Sequence, residues 1–139
     1  MEYNFVDVAA EEDTIAIEKL KHYIQQGVND VETLNLALLL ATMYNRYDTC
    51  KFLIEAGATE LNEPLKQACY NGDLRFVSFF MEKGANDLEG ALFSATRYKH
   101  MDIVVYLLEK GAVPFFGISY TDDVDISDIL YATRKDIKL

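Results

Sequence analysis
The sequence is poor in the residues that most often do chemistry. Its 139 residues include two histidines and two cysteines. His22 and His100 lie far apart, and neither has a second His or Cys at metal-ligand spacing. Cys50 and Cys69 form no CxxC pair, which excludes the usual redox motif. No glycine-rich nucleotide loop, HExxH or GxSxG occurs. Asp122, Asp123, Asp125 and Asp128 gather in one segment but lack the midway glycine and closing Glu of a calcium loop. Loop solvation and helix capping account for them. The expectation is no catalytic residue, no metal and no cofactor, hence no enzyme.

Other absences narrow the setting. No apolar run reaches membrane-spanning length. The start, Met1-Glu2-Tyr3-Asn4-Phe5, lacks the basic and apolar segments of a signal peptide. Lys and Arg number 13 against 23 Asp and Glu, a net charge of −10. A phosphate backbone needs clustered cations, so a nucleic-acid partner is not expected. Both cysteines fall at positions that read as helix interior, as buried free thiols in a reducing compartment would. An intracellular, cytoplasmic protein is expected.

What the chain does have is a core and a repeat. Half its residues are hydrophobic, with 9 Tyr and 8 Phe, enough to bury. The run Leu65 to Ala85 returns 27 residues later as Leu92 to Ala112. So short a unit cannot enclose its own core and must stack on its copies. Gly27, Gly57, Gly84 and Gly111 mark the register, at steps of 30, 27 and 27. Each suits the left-handed position just past a helix end. Three and four residues before them stand Tyr23-Ile24, Leu53-Ile54, Phe80-Met81 and Leu107-Leu108. Seven before stand Leu20, Cys50, Val77 and Val104. That spacing is one buried helix face, and it predicts helices near 15–26, 48–56, 74–83 and 101–110.

The shorter helix before each carries a Leu/Ala stripe: Leu38/Ala41, Leu65/Ala68 and Leu92/Ala95. The turn between the two helices is expected at Asn45, Gly72 and Lys99, with Asp48, Asp73 and Asp102 capping or beginning the helix that follows. In the first unit Phe5, Val6 and Ala9 supply the short helix, and Glu11-Glu12-Asp13 replaces the turn signal. Repeat units are expected at about 5–30, 34–60, 61–87 and 88–113. A closing helix is expected at about 125–134, where Ile129 and Ala132 repeat the stripe, giving one domain over residues 1–139.

These residues resemble the ankyrin-repeat family. Leu65, Ala68, Gly72, Phe76-Val77, Phe80-Met81 and Gly84-Ala85 match one copy of that family's unit. Leu92, Ala95, Ile103-Val104, Leu107-Leu108 and Gly111-Ala112 match the next, and Leu38, Ala41, Leu53-Ile54 and Gly57-Ala58 a third. The match is good over about 34–112 and weak over 5–33. No copy opens with Thr-Pro-Leu-His. The family period is about 33 residues, and the shortfall here lies where the family forms its β-hairpin finger. The resemblance implies an all-α, short ankyrin-like solenoid of helix-turn-helix units with reduced or absent fingers. Such finger-poor repeats are similar to those of large DNA viruses, including asfarvirus multigene families, and of some intracellular bacteria.

The resemblance also implies a non-catalytic protein-binding module, with a host regulatory protein as partner if the viral likeness holds. The first helices would offer Met43, Tyr44, Gln67, Tyr70, Asn71, Ser94, Arg97 and Tyr98 to that partner. Tyr44, Tyr70 and Tyr98 read as a ladder, either an interface or packing between copies. Arg46, Arg75, Lys99 and His100 read as a basic rim, either a docking strip for an acidic partner or cations paired with Asp48, Asp73 and Asp102. Phe115 and Phe116 read as an exposed hook or as a cover for the last unit. The alternative to a binding module is a self-assembling structural protein, a homodimer joined through the ends of the stack.

Overall fold
A computed structural model describes residues 4–114. They form eight α-helices: α1 Phe5–Val8, α2 Asp13–Gln25, α3 Val31–Met43, α4 Tyr47–Ala56, α5 Asn62–Asn71, α6 Leu74–Glu82, α7 Leu88–Arg97 and α8 Met101–Glu109. No strand occurs among the described residues. The expected closing helix, Phe115 and Phe116 lie outside them. The chain divides into two compact units, residues 1–67 and 68–139, with the division inside α5.

In the first unit, α1 packs on α2 and α3, α2 on α4, and α3 on α4. Like helices thus lie beside like, as stacked hairpins require. In the second unit α7 packs on α8, and α6 lies beside α8. The core is the expected stripe: Leu38, Ala41, Leu65, Ala68, Leu92 and Ala95 are fully buried. Cys50, Val77 and Val104 are buried with Leu53, Phe80 and Leu107. The residue after each of the last three, Ile54, Met81 and Leu108, is only half-buried. In the first unit Val8 is buried with Phe5 and Ala9, whereas Val6 is only half-buried.

Each second helix ends in the same way. The amides of Val28, Ala58, Ala85 and Ala112 reach back to the carbonyls of Tyr23, Leu53, Phe80 and Leu107. That closure takes the chain through positive φ at Gly27, Gly57, Gly84 and Gly111, between 96° and 123°. Five residues then separate each second helix from the next first helix, at 26–30, 57–61 and 83–87. The β-hairpin finger has no room. Side chains satisfy the backbone there instead. Asn35 Oδ1 accepts the amides of Thr59 and Glu60 at 2.8 and 3.0 Å. Asp30, Glu60 and Asp87 cap α3, α5 and α7 through the amides of Thr33, Asn62 and Gly90. The longer first step of 30 residues comes from α3, which has 13 residues against 10 in α5 and α7. The extra turn lies at its start, ahead of Leu38.

Candidate functional site
The turns between paired helices hold most of the candidate residues, and their backbone repeats. Asn45, Gly72 and Lys99 all have positive φ, at 58°, 78° and 62°. Glycine takes this conformation freely and asparagine tolerates it, but lysine is strained there. In each turn the next residue donates its amide five residues back: Arg46 to Ala41, Asp73 to Ala68 and His100 to Ala95. The turns therefore fall where the sequence placed them.

The side chains at this next position differ. Asp73 caps α6, accepting the amides of Arg75 and Phe76 at 3.0 and 3.3 Å. Arg46 cannot cap. Its Nε donates to the Ala10 carbonyl at 3.0 Å. His100 makes no cap bond either. Its Nε2 lies 3.0 Å from the Tyr70 carbonyl, which can only accept, so Nε2 carries the proton. Both cationic-type side chains thus serve carbonyls at the end of an earlier first helix, where backbone acceptors lack intrahelical partners. The expected pairing of these two with Asp48, Asp73 and Asp102 is replaced by backbone contacts. Asp48 and Asp102 sit one residue inside α4 and α8 and so begin those helices.

Asp13 does what an acidic, irregular turn did not announce. Its Oδ1 accepts both the amide and the hydroxyl of buried Thr49, at 3.1 and 2.7 Å. Arg46 and Asp13 thus cross-brace the first unit: α4 lends a donor to the end of α1, and α2 lends a cap to α4. Thr42 and Thr96 were also unannounced. Both are buried one residue past Ala41 and Ala95, and each hydroxyl donates to the carbonyl four residues back, at 2.8 and 2.9 Å. A Thr one place past a buried Ala was the only available signal.

The tyrosines are not one register. Tyr44 and Tyr98 directly precede the turn residues, but Asn71 holds that place in the middle copy and Tyr70 sits one residue earlier. Within the second unit, Tyr70 and Tyr98 meet edge to face, ring centroids 4.5 Å apart at 81°. They remain 50% and 44% exposed. Packing between copies and exposure are both true of this pair. Met43 and Tyr44 are about half exposed. Gln67, Asn71 and Ser94 are half-buried and already engaged within the chain. Arg97 and Lys99 are exposed, while Arg46 and His100 are half-buried. Arg75 is exposed but also has an interaction within the chain.

Gly72 lies against the His100 ring. A Cβ added there would stand 2.5 Å from Cε1 and 2.6 Å from Nδ1. The imidazole therefore fills the space that any other residue at 72 would need.

Little here resembles reaction chemistry. Burial pushes both thiols, Cys50 and Cys69, up to about 12, so neither is a nucleophile near neutral pH. The Thr33 hydroxyl and amide hold the Asp30 carboxyl below its usual value, an ordinary consequence of capping. His22 lies in an open depression of about 440 Å3 with Glu18, Lys19 and Tyr23. A second depression, of about 310 Å3, lies between α2 and α4 and is lined by Ile24, Phe52 and Ala56 among others. Neither brings a nucleophile to a base. Among the described residues no three His, Cys, Asp or Glu side chains form a metal cage. No described helix is long and apolar enough to cross a membrane.

A family model described as ankyrin repeats, in three copies, matches residues 38–115. The match begins at Leu38, the first residue of the regular stripe, and excludes the irregular first unit. A search of curated proteins found no match to the chain. Proteins with these repeats are generally non-catalytic modules that bind other proteins. On the matched residues and the helix pairs that carry them, the chain belongs to the ankyrin-repeat family.

Proposed function
We propose that this protein is a non-catalytic module that binds a protein partner through the exposed faces of its first helices, α3, α5 and α7. One observation carries the reading. Met43, Tyr44, Tyr70 and Tyr98 stay 44–54% exposed at the ends of helices whose opposite sides are fully buried. Large amphipathic rings held by rigid helices bury much area at little entropic cost when a partner arrives. Gln67, Asn71, Ser94 and Arg97 would contribute polar contacts, with Arg46, Arg75, Lys99 and His100 at the turns. Two free, buried thiols support an intracellular setting. The likeness of finger-poor repeats to those of large DNA viruses extends the reading to a host regulatory protein as partner.

The test changes Tyr44, Tyr70 and Tyr98 together to Ala. Circular dichroism must show the fold intact. Proteins captured from a cell lysate are then compared with those taken by the wild type. Loss of a reproducible subset is expected. Undiminished capture by the folded variant overturns the reading.

A further inference from the structure
The third copy departs from the other two at Lys99. Lys99 occupies the left-handed position that Asn45 and Gly72 fill without strain, at φ 62°. His100, like Arg46 and unlike Asp73, makes no cap bond to the helix it precedes. The Lys99 backbone strains the turn locally, and Lys99 and His100 each bring a basic residue to it. Backbone strain retained at an exposed turn points to a use outside the fold.

The surroundings give that use a chemistry. Arg97, Tyr98, Lys99 and His100 are contiguous, and the His100 bond to the Tyr70 carbonyl ties this turn to Tyr70. The Tyr70–Tyr98 pair therefore stands beside the cations as a half-exposed aromatic platform. Among the described residues, Arg97 and Lys99 have no ion-pair or hydrogen-bond partner. The acids nearest in sequence register are committed to backbone. Asp73 accepts from Arg75 and Phe76, and Asp102 from the Ile103 amide at 2.9 Å. Charge is also uneven along the chain. Residues 1–67 carry 5 Lys and Arg against 12 Asp and Glu, while 68–139 carry 8 against 11. Among the described residues an acidic protein thus keeps two exposed cations without an ion-pair partner at one turn, next to two aromatic rings.

We propose that the α7–α8 turn docks an acidic, extended segment of a partner protein. Arg97 and Lys99 take its carboxylates, and an apolar side chain between them rests on Tyr70 and Tyr98. This rests on the protein-binding reading above and names its partner's chemistry. Nucleic acid, although anionic, would meet a chain of net charge −10.

The test titrates the whole, isotopically labelled chain with a synthetic 12-residue peptide of alternating Glu and Leu, followed by amide chemical shifts. Shifts at Tyr70 and at residues 97–100, reduced by added salt, are expected. A Lys peptide of the same pattern should leave them in place. Lys99→Gly is the discriminating variant, because it relieves the strained turn. It should melt higher than the wild type and bind the Glu peptide at least fivefold more weakly. Arg97→Gln should weaken binding similarly with little change in melting. The proposal is overturned if the Glu peptide moves no amide at 97–100, if the Lys peptide binds equally, or if Lys99→Gly binds like the wild type. Should the tyrosine variant lose lysate capture while Arg97→Gln and Lys99→Gly keep it, protein binding stands and the acidic partner falls.

Discussion
Leu38, Leu65 and Leu92 hold the same place in three helices, and each is wholly buried. Seven residues on, Asn45, Gly72 and Lys99 share a backbone conformation but no chemistry. The next position holds Arg46, Asp73 and His100, and again only the backbone repeats. The stripe and the turn face different demands. A buried site between stacked helices accepts a narrow range of volume, since both cavities and overpacking cost free energy. A turn demands a shape, and several residues reach it at modest cost. Chemistry can therefore vary at the turns while the stack stays the same, and variation there is free to serve recognition.

Substitutions can break this contrast from either side. Leu92→Ala removes buried methyls from the stripe and should cost ~2–5 kcal/mol. Denaturant unfolding measures it. A cost below about 1 kcal/mol would mean the stripe is as permissive as the turns. Gly72→Ala tests a turn where shape and space coincide. The new Cβ would meet the His100 ring at 2.5 Å in a left-handed conformation, and a loss of ~1–3 kcal/mol is expected. In the double variant with His100→Ala the steric part should vanish and the backbone part remain. A non-additive double-mutant cycle separates the two.

The thiols sharpen the buried side through pH. Their ordinary value is 9.0, and burial pushes both up to about 12 in the folded chain. Above pH 9 the unfolded chain loses protons that the native state keeps. Their contribution is thus fully present below pH 9 and is lost as pH rises toward 12, by up to about 1.4 kcal/mol per pH unit for each thiol. Melting temperature measured from pH 8 to 11 should fall less steeply in a Cys50→Ala, Cys69→Ala variant. The smallest effect is expected at the third turn. Lys99→Gly exchanges strain for chain entropy and should stabilise by about 0.5 kcal/mol. Destabilisation by that change would show that Lys99 makes a contact within the fold.

Much of the fold was legible in the sequence. The i, i+3, i+4 spacing ahead of Gly57, Gly84 and Gly111 placed α4, α6 and α8 to within a residue or so at each end. Helix periodicity and positive-φ glycines act locally, so sequence reports them well. The first unit was harder to read. Its Asp13 looked like part of an acidic run, because the partner it caps, Thr49, lies 36 residues away. Asn35 escaped notice for the same reason, since the amides it holds are those of Thr59 and Glu60. The candidate site was legible as a set of residues but not as an arrangement. Tyr44, Tyr70 and Tyr98 suggested one ladder, while the turn register sets Tyr70 apart by one position.

The amino-acid sequence by itself determined the helices, their buried faces, the four glycine closures and the lack of room for fingers. Each of these depends on neighbours within a turn or two of chain. Only the tertiary structure decided what the polar residues at the turns do. It gave Arg46 to the Ala10 carbonyl, His100 to Tyr70, and Asp13 to Thr49. Among the described residues it also left Arg97 and Lys99 exposed, on either side of Tyr98 in its pair with Tyr70. A charged side chain can choose among many partners within reach, and the choice is made by what packing brings close to it.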